Sequence, residues 1–229
     1  SESEYLGSMV YGGLDGIITT FAVVSGVAGA QLSPGIILIL GLANLFGDGF
    51  SMATGAYLSS KSDQEYYERE REREAWEVEH FPEGERAELK TIYLQQGYPE
   101  EDAEKLVEIK SRDHERWVKA MMVDELNMLP DNRSPLMEGL VTLGAFVVAG
   151  AVPLLYYLLD LAFHFNLEGS GPFLVSTGLS GLALFGLGAS KVLVTGRSLV
   201  RSGLEMLLVG GLAASVAYLV GALLKGLGG

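Results

Sequence analysis

Long apolar runs alternate with polar stretches along the chain, and five of the runs are long enough to cross a bilayer. A membrane-spanning helix needs roughly 20 largely apolar residues. The runs that meet this length are Met9–Ala30, Gly35–Ser60, Leu136–Phe163, Phe173–Val194 and Gly203–Leu227. Pro153 predicts a kink within the third run. The pattern therefore predicts an all-α membrane protein with five transmembrane helices.

A polar, glutamate-rich insertion separates the second run from the third. Its residues favour three helices, which cover 62–80, 83–96 and 99–129. The third helix has a typical start, because Pro99 is followed by three acids. The first is expected to continue the second span without a break. The predicted parts are 1–61 with spans 1–2, 62–132 as an inserted three-helix domain, and 133–229 with spans 3–5.

Charge is concentrated in this insertion. The 229-residue chain has a net charge of −13, yet its mean hydropathy is +0.27. Residues 61–133 alone hold 21 acids and 12 bases. This separation implies two solvents, a bilayer and water. The acidic balance argues against nucleic acid as a partner, and the absence of cysteine excludes disulfides and thiolate metal sites.

The basic residues of the short loops predict the orientation in the membrane. Short loops that carry Lys or Arg face the cytoplasm. The loop between the fourth and fifth runs contains Lys191, Arg197 and Arg201, whereas the turn between the first two has no base. We therefore expect a cytoplasmic N-terminus, a cytoplasmic glutamate-rich domain and an external C-terminus.

The first two apolar runs each contain one acid, and an acid at the centre of a span costs on the order of 2.5–3.5 kcal/mol on insertion scales. The two acids are Asp15 and Asp48, and Met52 shares a helical face with Asp48. Two carboxylates and a thioether suit a borderline divalent ion such as Fe²⁺. A cation or proton pathway would explain them. The alternatives are a structural hydrogen bond for Asp15 and ordinary packing for Met52.

The polar insertion contains a second set of candidate metal ligands. Two glutamate pairs have i,i+3 spacing, and a Met-Met pair with one more acid lies near the end of the third helix. These residues are Glu74, Glu77, Glu85, Glu88, Met121, Met122 and Glu125. The helices could converge on a metal. Alternatively, the acids form a solvated face that nearby arginines neutralise.

One motif in the insertion leaves an enzyme function open. Residues Glu77 to His80 match the Glu-x-x-His pattern of di-iron helical bundles, but such bundles use two copies and this chain has one. A membrane-anchored ferroxidase or storage-like di-iron protein is therefore one alternative. A membrane metal sensor is another.

Two stretches of the first two runs are distinctive in sequence. They are DGIITTFAVVSGVAGA from Asp15 to Ala30 and FSMATGAYLSSKS from Phe50 to Ser62. Both resemble the vacuolar iron transporter family, and the similarity extends over nearly the whole chain. The resemblance implies five spans, a homodimer, and a three-helix cytoplasmic metal-binding domain carried on the second span.

The resemblance also implies roles for individual residues. Asp15 and Met52 match the family's pathway residues, and the seven Glu and Met residues of the insertion match its cytoplasmic metal ligands. Glu4 matches a further acid before the first span. Plant members carry an acid at the position of Asn44, whereas this chain has Asp48 one turn later.

Together these expectations describe a secondary transporter rather than an enzyme. It would export Fe²⁺, with Mn²⁺, Co²⁺ and Zn²⁺ as further candidate cargo, from the cytosol in exchange for protons. Its partners would be divalent metal ions, protons, lipid and a second copy of the chain, with no permanently bound cofactor. The membrane would be vacuolar in a eukaryote and the plasma membrane in a prokaryote.

Overall fold

The computed structural model describes residues 5–165, 167–190, 196 and 198–227. Every regular element in these residues is helical. The chain forms two compact units. One comprises Ser1–Tyr57 and Ser134–Gly229, and the other comprises Leu58–Arg133. We call them the membrane unit and the polar unit.

Within the described residues, five helical segments are long and apolar enough to cross a membrane. They are α1 (Leu6–Gly29), the apolar part of α2 (Pro34–His80), α6 (Pro135–Gly150) with α7 (Leu155–Phe163), α8 (Gly171–Ser190) and α9 (Leu199–Leu224). The prediction of five spans is confirmed. Helix α2 has 47 residues, about twice what a span needs, so its charged second half belongs to the polar unit.

The fifth span begins earlier than predicted. The fifth begins at Leu199 rather than Gly203, because Arg201 and Ser202 are accommodated in its first turn. The predicted end of the fourth span, Val194, lies outside the described residues, as do Lys191 and Arg197. The third span passes through a 3₁₀ turn at Val152–Leu154, where Pro153 cannot donate a helical hydrogen bond.

Helix α1 is the centre of the membrane unit and packs against α6, α8 and α9. The backbones approach closely at glycines. A Cβ on Gly16 would lie 2.5 Å from the Phe146 carbonyl oxygen, and one on Gly221 would overlap the Gly26 carbonyl. Small residues of this kind let membrane helices pack through van der Waals contact.

The polar unit packs the end of α2 with α3 (Pro82–Gln95), α4 (Glu100–Ser111), α5 (His114–Ala120) and a π-helical segment (Met121–Glu125). Its core is apolar and includes Val78, Leu89, Tyr93, Ala103, Val107, Trp117, Val118, Met121 and Met122. The prediction of one continuous helix over 99–129 is wrong. The chain breaks after Ser111 because Asp113 is extended and its carboxylate caps α5, accepting from the Arg116 amide at 2.9 Å.

Candidate metal centre

Five glutamates from three elements of the polar unit lie together. Helix α2 contributes Glu74 and Glu77, helix α3 contributes Glu85 and Glu88, and the π segment contributes Glu125. The i,i+3 spacing on each helix places both acids of a pair on one face. The chain therefore brings together five of the seven polar-unit ligands that the sequence suggests.

The five acids form two triads that share one residue. Carboxylate oxygens of Glu74, Glu77 and Glu85 lie within 4.8 Å of one another, and so do those of Glu85, Glu88 and Glu125. We call these the inner triad and the outer triad. The inner triad is the more buried, since Glu74 is 0% exposed and Glu85 is 6% exposed.

Three oxygens of the cluster are buried without a partner. The Oε2 atoms of Glu74, Glu85 and Glu125 are shielded from solvent and accept no hydrogen bond from the residues that the structure describes. A buried acceptor left unsatisfied costs about 1–3 kcal/mol, and more if it is charged. Cations bound at the two triads would satisfy these oxygens.

Burial and mutual repulsion also change the acidity of the cluster. Burial, reinforced by repulsion from neighbouring glutamates, raises the pKa of Glu85 to about 7. The same causes raise the pKa of Glu125 to about 7, and burial raises the pKa of Glu74. Glu85 and Glu125 are therefore partly protonated near neutral pH, and a metal must displace those protons to bind.

A π-helical segment positions Glu125 in the outer triad, and no pattern in the sequence predicted this segment. Its wide turn is closed by the Leu126 amide, which donates to the Met121 carbonyl at 3.2 Å. The Tyr93 hydroxyl donates to Asp124 Oδ2 at 2.9 Å. π segments occur often at functional sites. Met121 and Met122 are fully buried in the core, so their role as sulfur ligands stays a prediction.

An open cleft of about 610 Å³ reaches the outer triad. Its walls include Glu88, Glu125, Gln95 and Asn127. Their side-chain oxygens are ligands that hydrated divalent cations accept. The cleft gives ions access to the acids from solvent.

Two acids of the membrane unit, Asp15 and Asp48, interact electrostatically. Asp15 on α1 is partly buried and lies within electrostatic range of Asp48 on α2. Asp48 is exposed in the single chain, whereas Met52 is partly buried. The Nδ2 atom of Asn44 is shielded and has no hydrogen-bond partner within the described part of the chain. Glu4 lies outside the described residues.

Comparison with known proteins decides the family. The model of the VIT family matches residues 6–222. The chain belongs to the VIT family. Relatives named vacuolar iron transporter include one from Toxoplasma gondii, 39% identical over 98% of this chain and 76% of its own length. One from Plasmodium falciparum is 34% identical over 98% and 84%. Vacuolar iron transporter 1 of Arabidopsis thaliana is 31% identical over 94% and 84%.

Like its VIT-family relatives, the chain is a multi-pass membrane protein. The di-iron motif finds little support in this VIT-family chain. His80 is exposed and stacks on Trp76 with ring centroids 4.5 Å apart, and its Nδ1 lies 2.8 Å from the Trp76 carbonyl. Among the described residues, both candidate metal groups contain glutamates only. His80 therefore does not supply the nitrogen ligand that the motif requires.

Glu138 lies in the first turn of α6, where its position in the sequence predicts an acid favoured by the helix dipole. The residue is 8% exposed, and the Ser8 hydroxyl donates to its Oε1. Glu138 therefore links the beginnings of α1 and α6 within the membrane unit.

Proposed function

We propose that this VIT-family protein is a proton-coupled transporter that exports Fe²⁺ or a related divalent metal from the cytosol. The observation that carries the proposal is Asp48, a charged side chain that is exposed on a membrane-spanning segment beside Asp15. Lipid would penalise such a charge. A pathway for cations, by contrast, would need a negative charge at this position.

The pathway would be formed by Asp15, Asp48 and Met52. Two carboxylates neutralise a divalent charge, and a thioether favours borderline transition metals over Ca²⁺ or Mg²⁺. The relatives are named iron transporters, which makes Fe²⁺ the first candidate cargo. Mn²⁺, Co²⁺ and Zn²⁺ remain candidate cargo because ligand chemistry alone separates these ions weakly.

A second copy of the chain would cover the exposed face of α2. Asp48 shares this face with the small residues Gly47, Ser51 and Gly55, all of them exposed. A Cβ on Gly47 or Gly55 would meet no atom within 4 Å. Small residues without contacts inside one chain suit close packing against a partner helix. A homodimer would thus remove Asp48 from lipid and surround the pathway with two copies of each acid.

The polar unit would collect the ion on the cytosolic side. Its two triads offer buried carboxylate oxygens, and its net negative charge attracts cations from a distance. Carboxylates must lose their protons to bind metal. Exchange of protons for metal at the pathway acids would therefore couple the two fluxes. The membrane would be vacuolar or plasma membrane according to the organism.

The test is transport by the purified full chain in proteoliposomes. With an imposed pH gradient, Fe²⁺ should accumulate on the acidic side, and an ionophore that collapses the gradient should abolish accumulation. A panel with Mn²⁺, Co²⁺ and Zn²⁺ would rank the cargo. Metal binding without flux would favour the sensor, and oxygen consumption that depends on Fe²⁺ would favour the ferroxidase.

A further inference from the structure

The guanidinium group of Arg73 contacts two acids of the inner triad. The Nη2 of Arg73 donates to Glu74 Oε1 at 3.0 Å, and its Nε lies 4.0 Å from Glu77 Oε1. Both acids belong to the inner triad. The guanidinium therefore neutralises the same carboxylates that a metal would use.

Arg73 also has a partner outside the triads. Its Nη1 lies 2.7 Å from Glu70 Oε2, and Glu70 is only 7% exposed at its side chain. The Arg73 side chain itself is 48% exposed. It can therefore turn towards water and keep its bond to Glu70 while leaving Glu74.

The charge of Arg73 reaches beyond its contacts. It opposes the rise in pKa of Glu74, Glu85 and Glu125, so it acts on acids of both triads. A divalent ion at the inner triad would repel a guanidinium only a few ångströms away. Arg73 and a metal ion at the inner triad would therefore each weaken the other's electrostatic attraction to Glu74.

We propose that Arg73 is a built-in competitor of the metal. Its guanidinium holds Glu74 and Glu77 when the inner triad is empty, yields to an incoming divalent ion, and returns as the ion leaves. The consequence is weaker binding and faster release than the five acids alone would give. A collecting site that passes its ion onward needs both properties. This inference rests on the proposed metal-collecting function of the polar unit.

Two roles of Arg73, as a competitor of the metal or as a scaffold that orders the acids, predict opposite changes in metal affinity when Arg73 is removed. If Arg73 competes, Arg73→Gln tightens metal binding because the acids lose a resident cation. If Arg73 only orders the acids, the same substitution weakens binding. Arg73→Lys keeps the charge without the planar fork and should stay close to wild type.

Arg69→Gln is the matched control. Arg69 lies one turn earlier on α2, carries the same charge and bonds Glu70 at 2.9 Å. The substitution changes net charge equally without removing a contact to either triad. It should leave metal affinity unchanged.

The experiment measures Co²⁺ binding and chelator-induced release on the full chain in detergent. All variants are compared at a pH of about 8, which lies above the pKa of about 7 that Glu85 and Glu125 have in the wild type. Arg73→Gln should lower both the Kd and the release rate about two- to fivefold, the factor expected for a half-exposed ion pair. If Arg73→Gln binds Co²⁺ no more tightly than Arg69→Gln does, the competitor role is wrong, whereas the proposed collecting site is unaffected. Absence of Co²⁺ binding by the wild type would overturn the collecting site with it.

Discussion

At the scale of single residues, Glu85 is the pivot of the candidate metal centre. It is the only member that both triads share among the groups found in the described residues. It is also nearly buried, with an unpartnered Oε2. The other acids serve one triad each, so the consequences of removing them should differ.

Glu85→Gln should weaken metal binding at both triads, whereas Glu77→Gln and Glu88→Gln should each weaken one. Loss of a charged ligand of this kind costs roughly 10- to 100-fold in affinity. Calorimetric titration of the full chain with Co²⁺ would give the number of sites and their affinities. Equal losses in all three variants would contradict the shared role of Glu85.

The raised pKa values of Glu85 and Glu125 predict how the polar unit responds to pH. The folded pKa of about 7 for Glu85 and Glu125 lies above the unfolded value of about 4.3. Protonation therefore stabilises the metal-free fold below the unfolded pKa, and this stability is lost as pH rises through 7. Metal affinity changes in the opposite direction and falls as pH decreases through 7.

Tryptophan fluorescence can measure this within the full chain. Both tryptophans, Trp76 and Trp117, lie in the polar unit. Without metal, the fluorescence melting midpoint should be lower at about pH 8 than at about pH 5.5, and Zn²⁺ should raise it mainly at the higher pH. A midpoint that is highest at pH 8 without metal would contradict the pKa assignments.

At the scale of secondary-structure elements, the sequence predicted which segments are helical better than it predicted their local geometry. Hydropathy was sufficient for five spans, and i,i+3 spacing was sufficient to pair the acids on α2 and α3. The break before Asp113 and the π segment were missed because both depend on local hydrogen bonds that compete with α-helical ones. The two triads share Glu85 because of the distances between helices. The spacing of residues along one helix does not predict those distances.

The π segment makes Tyr93 a candidate positioning residue. Tyr93 is 4% exposed and its hydroxyl holds Asp124, the residue before Glu125. Tyr93→Phe should weaken the outer triad about tenfold, as loss of a hydrogen bond to a charged group implies. The inner triad should be spared. Tyr98→Phe is the control, since the Tyr98 ring packs edge to face on the Tyr93 ring and phenylalanine keeps that contact.

The affinity of the outer triad is measured by Co²⁺ titration of Tyr93→Phe combined with Glu77→Gln. The second substitution weakens the inner triad, so that binding at the outer triad is observed by itself. Asp124→Asn keeps an acceptor for the hydroxyl and should preserve most of the affinity. Unchanged binding in Tyr93→Phe would show that the π segment needs no support from this hydroxyl.

Close helix packing in the membrane unit predicts a sharp difference between two glycines of α9. A side chain at Gly221 would enter the backbone of α1 at Gly26, whereas a Cβ on Gly211 meets nothing within 4 Å. Gly221→Leu should destabilise the fold by about 1–3 kcal/mol or more, while Gly211→Leu should be tolerated. Thermal stability and monodispersity in detergent would distinguish them, and equal tolerance would contradict the packing of α9 on α1.

At the scale of the whole molecule, the chain divides its chemistry between two solvents. The polar unit concentrates carboxylates where water can deliver ions to them. The membrane unit retains Asp15 and Asp48 where hydrocarbon penalises charge. Neither property is needed for a membrane anchor alone. Both are needed by a transporter that first collects a cation and then moves it.

The most direct test of this division is a single substitution followed by two measurements. Asp15→Asn should abolish Fe²⁺ flux in proteoliposomes while Co²⁺ binding to the polar unit keeps its wild-type stoichiometry and affinity. Glu205→Gln, which removes an exposed acid of α9, should leave both unchanged. Wild-type flux through Asp15→Asn would contradict the account, because the ion would then cross the membrane without the acid assigned to its path.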